Sequence, residues 1–183
     1  MILGDNFFYG QNLSEKLYRC TNLKKGAKII LHKVKKPEQY GVAKISKNFK
    51  VTMIKEKPKK FISDLAITGL YFFDKNLLKF TTNLKKSKRN EFEIVDILNQ
   101  YLKRKKLSFE LLGRGSTWFD VGSPEILDEA TDFIKSTQAR SGYKIACLEE
   151  IAFKKGWIKK KELLKAENIY KNSAYSKYIK NIK

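Results

Sequence analysis

The sequence is poor in the residues that metal–thiolate or disulfide chemistry requires. It has one histidine, His32, and two cysteines, Cys20 and Cys147, far apart in the chain. No zinc-type ligand spacing can be drawn from them, and both thiols are expected to be free and reduced. Long apolar runs are also lacking: nothing approaches the roughly 20 residues of a membrane helix. Met1-Ile2-Leu3 has neither the basic flank nor the length of a signal peptide, so the reading is a cytoplasmic protein without a membrane partner. Acidic residues are scarce, 19 against 39 basic ones, giving a formal net charge of +20. Arginine is scarce among the basic residues: Arg19, Arg89, Arg104, Arg114 and Arg140 are all there are. Lysine offers a point charge where arginine offers a bidentate fork, and these lysines are not interleaved with a pattern of aromatics. Both features count against nucleic acid as a partner. They favour a solvated, lysine-biased surface on a protein whose substrates are anions.

What is present is enough for one sizeable core, with 42% hydrophobic residues in a chain of 183. Leu13, Leu17 and Cys20 recur at helical spacing over 13–24, Ala27 to Val34 reads as a strand, and residues 40–45 and 49–56 alternate around Ser46-Lys47-Asn48 as a hairpin. Ala66 to Phe73 is nearly continuously apolar, which predicts a central strand buried on both faces. Asp74 is expected to cap a short helix through Leu77, Leu78 and Phe80, and Lys85 to Arg89 reads as a basic loop. Glu91 to Lys103 predicts a helix with a wide buried face that includes Phe92. A strand over 107–112, an apolar strand ending at Asp120, and a helix from Pro124 to Arg140 with Ser123 as its cap complete this part. Only helical patterns remain over 147–183, so the expected domains are an α/β unit over 1–146 and a helical appendage over 147–183.

The chain opens on Met1-Ile2-Leu3-Gly4-Asp5-Asn6, read as half of a buried strand that stops where a glycine lets the chain turn and a carboxylate face a ligand. Four stretches continue the theme: Tyr40-Gly41-Val42, Glu56-Lys57-Pro58, Thr68-Gly69-Leu70-Tyr71 and Trp118-Phe119-Asp120-Val121-Gly122. Each has a plain alternative, respectively a strand bend, two solvated charges, close helix packing and a capping aspartate. In this order, across essentially the whole chain, they make it resemble the sugar-phosphate nucleotidyltransferases, in particular those that make dTDP-glucose. Lys55 departs from the pattern, standing where a second acid is common, and Asn90 stands where glycine is usual.

The resemblance implies a Rossmann-like mixed sheet, here without its N-terminal half, which in the family carries a Gly-Gly-x-Gly-Thr-Arg loop for the nucleotide triphosphate. It implies transfer of a thymidylyl group from dTTP to glucose 1-phosphate, with pyrophosphate released. Asp5 and Asp120 would hold Mg2+ and act with Lys57 in catalysis, and Tyr40, Gly41, Glu56, Lys57, Ile67, Gly69 and Trp118 would bind the sugar phosphate. Tyr9, Gly10, Arg114, Glu150 and Ile151 would belong to a regulatory nucleotide site; for Arg114 and Glu150 the plain alternative is a surface ion pair. The expectation is a homo-oligomer, or association with the segment the family carries in front of residue 1, and no stand-alone activity. The alternative is a basic, non-catalytic binding protein, for nucleic acid or regulation, on a retained fold.

Overall fold

The computed structural model describes residues 1–82, 84–87 and 90–182. Two compact units divide them, Met1–Leu127 and Asp128–Lys183. In the first, strands β1 (Asn6–Gly10), β2 (Ala27–Lys33), β3 (Gly41–Ile45), β4 (Val51–Glu56), β5 (Leu65–Phe73), β6 (Leu107–Leu111) and β7 (Ser116–Asp120) alternate with helices α1 (Leu13–Thr21), α2 (Leu77–Thr81) and α3 (Ile94–Lys103). Five of the strands form a mixed sheet in the order β4-β3-β5-β2-β6, and β1 with β7 forms a separate two-stranded ribbon. Only β2 and β6 run parallel; the remaining pairs are antiparallel.

β2 and β5 are central, as their apolar runs predict. Ile29, Leu31, Ile67 and Tyr71 face one side, where α3 lays Val95, Ile97, Leu98 and Tyr101 against them. Burying each such side chain stabilises the fold by about 1.5–3 kcal/mol. Ile30 and Ala66 face the other side, packed with Cys20 of α1, Leu112 and Trp118 of β7. The hydroxyl of Thr68, fully buried in β5, donates to the carbonyl of Ile30 at 3.1 Å, so this buried hydroxyl is satisfied.

Several expectations need correction. Met1–Leu3 is not buried: these side chains are 54, 60 and 41% exposed. The segment does pair with β5, Leu3 N–H donating to Gly69 O and Tyr71 N–H to Met1 O, both at 2.9 Å. It is extended and bonded on one flank only, so its apolar side chains have little to pack against. Phe49 sits in the hairpin turn, with φ 54°, rather than at the start of a strand. Asp74 does not simply cap α2. Its carboxylate accepts from the N–H groups of Gly26 (2.7 Å) and Asn76 (2.9 Å) and from the Tyr101 hydroxyl (2.8 Å), tying three segments together. The helix expected from Glu91 begins only at Ile94, because Asn90 takes a left-handed turn (φ 63°) and Glu93 is extended. Phe92 is consequently 62% exposed. The basic loop expected at Lys85–Arg89 falls partly outside the described residues.

The second unit holds most of α4 (Pro124–Ser141), then α5 (Leu148–Lys154), α6 (Lys160–Ile169) and α7 (Ala174–Lys180). Its small core is Cys147, Leu163, Ile179 and Ile182. Gly142 ends α4 at φ 73°, a conformation that glycine adopts without steric cost. Both cysteines are buried and free. Among the described residues, no helix is long and apolar enough to cross a membrane.

Candidate active site

The pairing of β1 with β7 brings two remote aspartates together. Asn6 lies opposite Asp120 in register, and Val121 N–H donates to the backbone carbonyl of Asp5 at 2.7 Å. Between the two carboxylates stands the Asn6 carboxamide. Its Nδ2 donates to Asp5 Oδ1 at 2.8 Å and to Asp120 Oδ1 at 3.3 Å. Its Oδ1 accepts from Gly69 N–H at 3.0 Å and from Trp118 Nε1 at 2.6 Å. One side chain therefore links both aspartates to the central strand and to the tryptophan.

This contact also explains Gly69. A Cβ there would lie 2.5 Å from the Asn6 carboxamide, so the glycine leaves room for Asn6, which neither helix packing nor a ligand alone would have suggested. Gly41 has a similar reason. It lies opposite Glu56 in the β3–β4 register, and a Cβ on it would meet Glu56 Oε2 at 2.9 Å and Val95 Cγ2 at 3.2 Å. The carboxylate of Glu56 thus lies across bare backbone. Lys57 follows at φ 37°, an uncommon conformation for a non-glycine residue, with its N–H donating to Tyr40 O at 3.0 Å.

These groups line one cavity of about 450 Å3. Asp5, Tyr40, Gly41, Glu56, Lys57, Ile67, Gly69, Trp118 and Asp120, the residues expected to serve the metal and the sugar phosphate, all reach it. So do Asn6, Tyr71, Glu91, Glu93 and Val95, which sequence reasoning did not assign. Trp118 is 8% exposed and stacks at a tilt on Tyr40, centroids 5.1 Å apart, with His32 edge-on behind it at 6.3 Å. Burial keeps the His32 imidazole below its ordinary pKa, and its buried Nδ1 has no hydrogen-bond partner.

Electrostatically the cavity is acidic: Asp5, Glu56, Glu91, Glu93 and Asp120 face it against Lys57 alone among the described lining residues. Burial, and then the charge of Asp5, push the Asp120 carboxyl above its usual range, and the opposing pull of Lys57 and Asn6 does not cancel this. Burial, then Glu56, Asp120 and Asp5, raise the Tyr71 phenol, so it stays protonated as a hydrogen-bond donor. No group of three or more His, Cys, Asp or Glu suited to a metal occurs among the described residues, so a full protein cage is not offered. Two adjoining carboxylates, one with its anion disfavoured, suit Mg2+, which takes few protein ligands and completes its octahedron with phosphate oxygens and water.

The residues expected to form a regulatory site are distributed differently. Tyr9 and Gly10 pair with Thr117 and Ser116 at one end of the ribbon, and Arg114 lies in the turn that leads into it. Glu150 and Ile151 sit on α5 of the second unit. There Glu150 takes Lys154 as its ion-pair partner at 2.6 Å and accepts from the Tyr178 hydroxyl at 2.5 Å.

Residues 1–137 match the family model described as nucleotidyl transferase, and the chain belongs to that family. It is 41% identical over 179 residues to the glucose-1-phosphate thymidylyltransferase of Neisseria gonorrhoeae, covering 98% of this chain and 62% of that protein. To the enzyme of the same name from Xanthomonas campestris pv. campestris it is 42% identical over 180 residues, covering 98% and 61%. A sucrose-bound crystal structure from Bacillus anthracis, provisionally assigned the same name, superposes with a TM-score of 0.63 at 40% identity, over 72% of this chain and 52% of that one. The chain is thus a homologue of these enzymes that spans about three fifths of the length of the curated relatives it matches.

Proposed function

We propose that this chain carries the sugar-phosphate half of a thymidylyl transfer, in which glucose 1-phosphate attacks the α-phosphorus of dTTP to give dTDP-glucose and pyrophosphate. The observation that carries the reading is the convergence of Asp5, Asn6, Asp120, Glu56 and Lys57 on one cavity. A new P–O bond forms from the sugar phosphate as the bond to the leaving pyrophosphate breaks, so positioning and charge neutralisation do most of the work and no nucleophilic side chain is required.

Each residue has a part in that scheme. Glu56, held across Gly41, accepts hydrogen bonds from sugar hydroxyls. The Lys57 ammonium offsets the sugar phosphate, and its left-handed backbone fixes the turn that aims it. Trp118, Tyr40, Ile67 and Gly69 wall the hexose, and Asn6 keeps the two aspartates in register. Asp5 and Asp120 hold Mg2+, which when bound supplies positive charge to the phosphate oxygens. A regulatory role for Tyr9, Gly10, Arg114, Glu150 and Ile151 rests on the family pattern alone.

Residues 1–183 contain no Gly-Gly-x-Gly-Thr-Arg loop. On this reading turnover needs a polypeptide that carries it, seated along the open flank of Met1–Leu3. The experiment measures dTDP-glucose formation by the chain alone, by the loop-bearing segment of a longer relative alone, and by the two together. Product only in the mixture is the expected result; a mixture in which glucose 1-phosphate binds and no product forms overturns it.

A further inference from the structure

The surplus of positive charge is not spent on the substrate cavity, whose described lining carries five carboxylates, Asp5, Glu56, Glu91, Glu93 and Asp120, against Lys57. The formal charge of +20 therefore acts elsewhere. A second cavity of the first unit, about 830 Å3 and sharing no residue with the first, lies between the β3–β4 turn, the α3–β6 turn and strand β6. Leu102, Leu107 and Phe109 line it with apolar surface, and Lys50 and Lys105 line it with charge. Lys47 adjoins one wall in sequence, and Lys103 and Lys106 the other. The acid that reaches this groove, Glu110, already accepts from Lys16 at 3.2 Å and Arg19 at 3.5 Å.

The groove has a second peculiarity. Phe49 on one wall and Lys105 on the other both hold left-handed backbone, φ 54° and 55°. At Lys105 this is the left-handed residue that closes α3, Lys106 N–H donating to Tyr101 O at 2.9 Å, whereas at Phe49 a bulky side chain holds the hairpin-turn position that glycine fills without steric cost. Phe49 is moreover 81% exposed at the hairpin tip, an aromatic face presented to solvent beside lysines. A phenyl platform next to ammonium groups in a groove is the chemistry that takes unpaired bases and the phosphates that join them. We propose that this groove binds single-stranded nucleic acid, with a base stacked on Phe49 and phosphates set against Lys50 and Lys105. Lysine suffices for this, because contacts to phosphate and to a base face require none of the bidentate edge recognition that arginine provides.

The test is fluorescence anisotropy with a labelled oligo(dT) of about 12 nucleotides over a salt series, using the whole chain. Phe49→Gly is the informative variant, because glycine fits φ 54° and the turn should be at least as stable, which a urea melt checks. Its affinity should drop about 5- to 100-fold, while the double variant Lys50→Gln/Lys105→Gln should reduce the slope of log affinity on log salt by about 1.4. Saturating glucose 1-phosphate should leave binding unchanged, which keeps this result independent of the substrate cavity. The proposal is overturned if Phe49→Gly binds like the parent, if a duplex of the same length binds as tightly, or if glucose 1-phosphate displaces the oligonucleotide. Displacement by anionic phospholipid vesicles at concentrations where neutral vesicles do nothing would assign the groove to a membrane surface instead.

Discussion

Two pairs of carboxylates in this protein make opposite use of the same chemistry. Glu149 and Glu150, on α5, are each met by a tyrosine: Tyr175 donates to Glu149 at 2.5 Å and Tyr178 to Glu150 at 2.5 Å, and Lys154 adds an ion pair to Glu150. Burial works against both anions, yet these partners hold both carboxyls below their ordinary range. Asp5 and Asp120 share the amide of Asn6 between them, and with burial and Asp5 outweighing Lys57 and that amide, Asp120 is left above its ordinary range. The first pair is internally satisfied and stabilises a small helical unit. The second keeps a partly compensated negative field that a cation would relieve, at some cost to the fold.

Removing one member of each pair should separate these roles. The largest effect is expected from Asp120→Asn in the complemented reaction, where dTDP-glucose formation should fall about 100- to 1,000-fold. The same variant should melt at a higher temperature than the parent, because it deletes a half-buried charge that Asp5 repels. A lower melting temperature would erase the contrast drawn here. Lys57→Gln comes next, weakening glucose 1-phosphate about tenfold or more by calorimetry, in line with the loss of a charge-assisted contact. Tyr175→Phe should do the reverse of Asp120→Asn: stability should fall by about 1–3 kcal/mol in a urea melt, and glucose 1-phosphate binding should not change.

The smallest effect is in pH. Asp74, although partly buried, is held down to about 2 by hydrogen bonds from Gly26, Tyr101 and Asn76. A depressed folded value means that its contribution is complete above the unfolded value of 3.8 and is lost as pH falls toward 2. Asp120 has the opposite sign, since an elevated folded value adds stability as pH falls through it. Stability curves of Asp74→Asn should therefore be flatter below pH 3.8, and those of Asp120→Asn flatter just above it.

The extent to which the sequence announced this site varies from residue to residue. β2, β5, α3 and α4 were legible because their apolar periods are strong. Asp5 and Asp120 stood out as carboxylates at the ends of apolar segments, but the register that sets Asn6 opposite Asp120 is a pairing between strands remote in sequence, which no local pattern encodes. Asn6 itself was legible only as a turn residue. Its signal was positional: it opens β1 directly after the turn that holds Asp5, and its carboxamide lies against Gly69, whose missing side chain makes the space. Glu91 and Glu93 were absorbed into a helix because their neighbours keep helical spacing; the left-handed Asn90 and extended Glu93 released them to the cavity. Phe49 was read as strand because it opens the alternation that runs to Glu56, and the turn extended one residue further than that pattern suggested.

The half-bonded opening segment has a consequence for how the molecule behaves in bulk. In the pairing of Met1 and Leu3 with β5, Ile2 turns its own N–H and C=O outward, and its side chain is 60% exposed. That is a short template on which a like segment could zip. Mutual repulsion between molecules bearing +20 opposes such zipping in dilute buffer, and about 1 M salt shortens the reach of that repulsion to roughly 3 Å. Colloidal behaviour of residues 1–183 on their own should therefore turn on ionic strength, clear at low salt and clouding as salt rises, with Ile2→Lys restoring clarity.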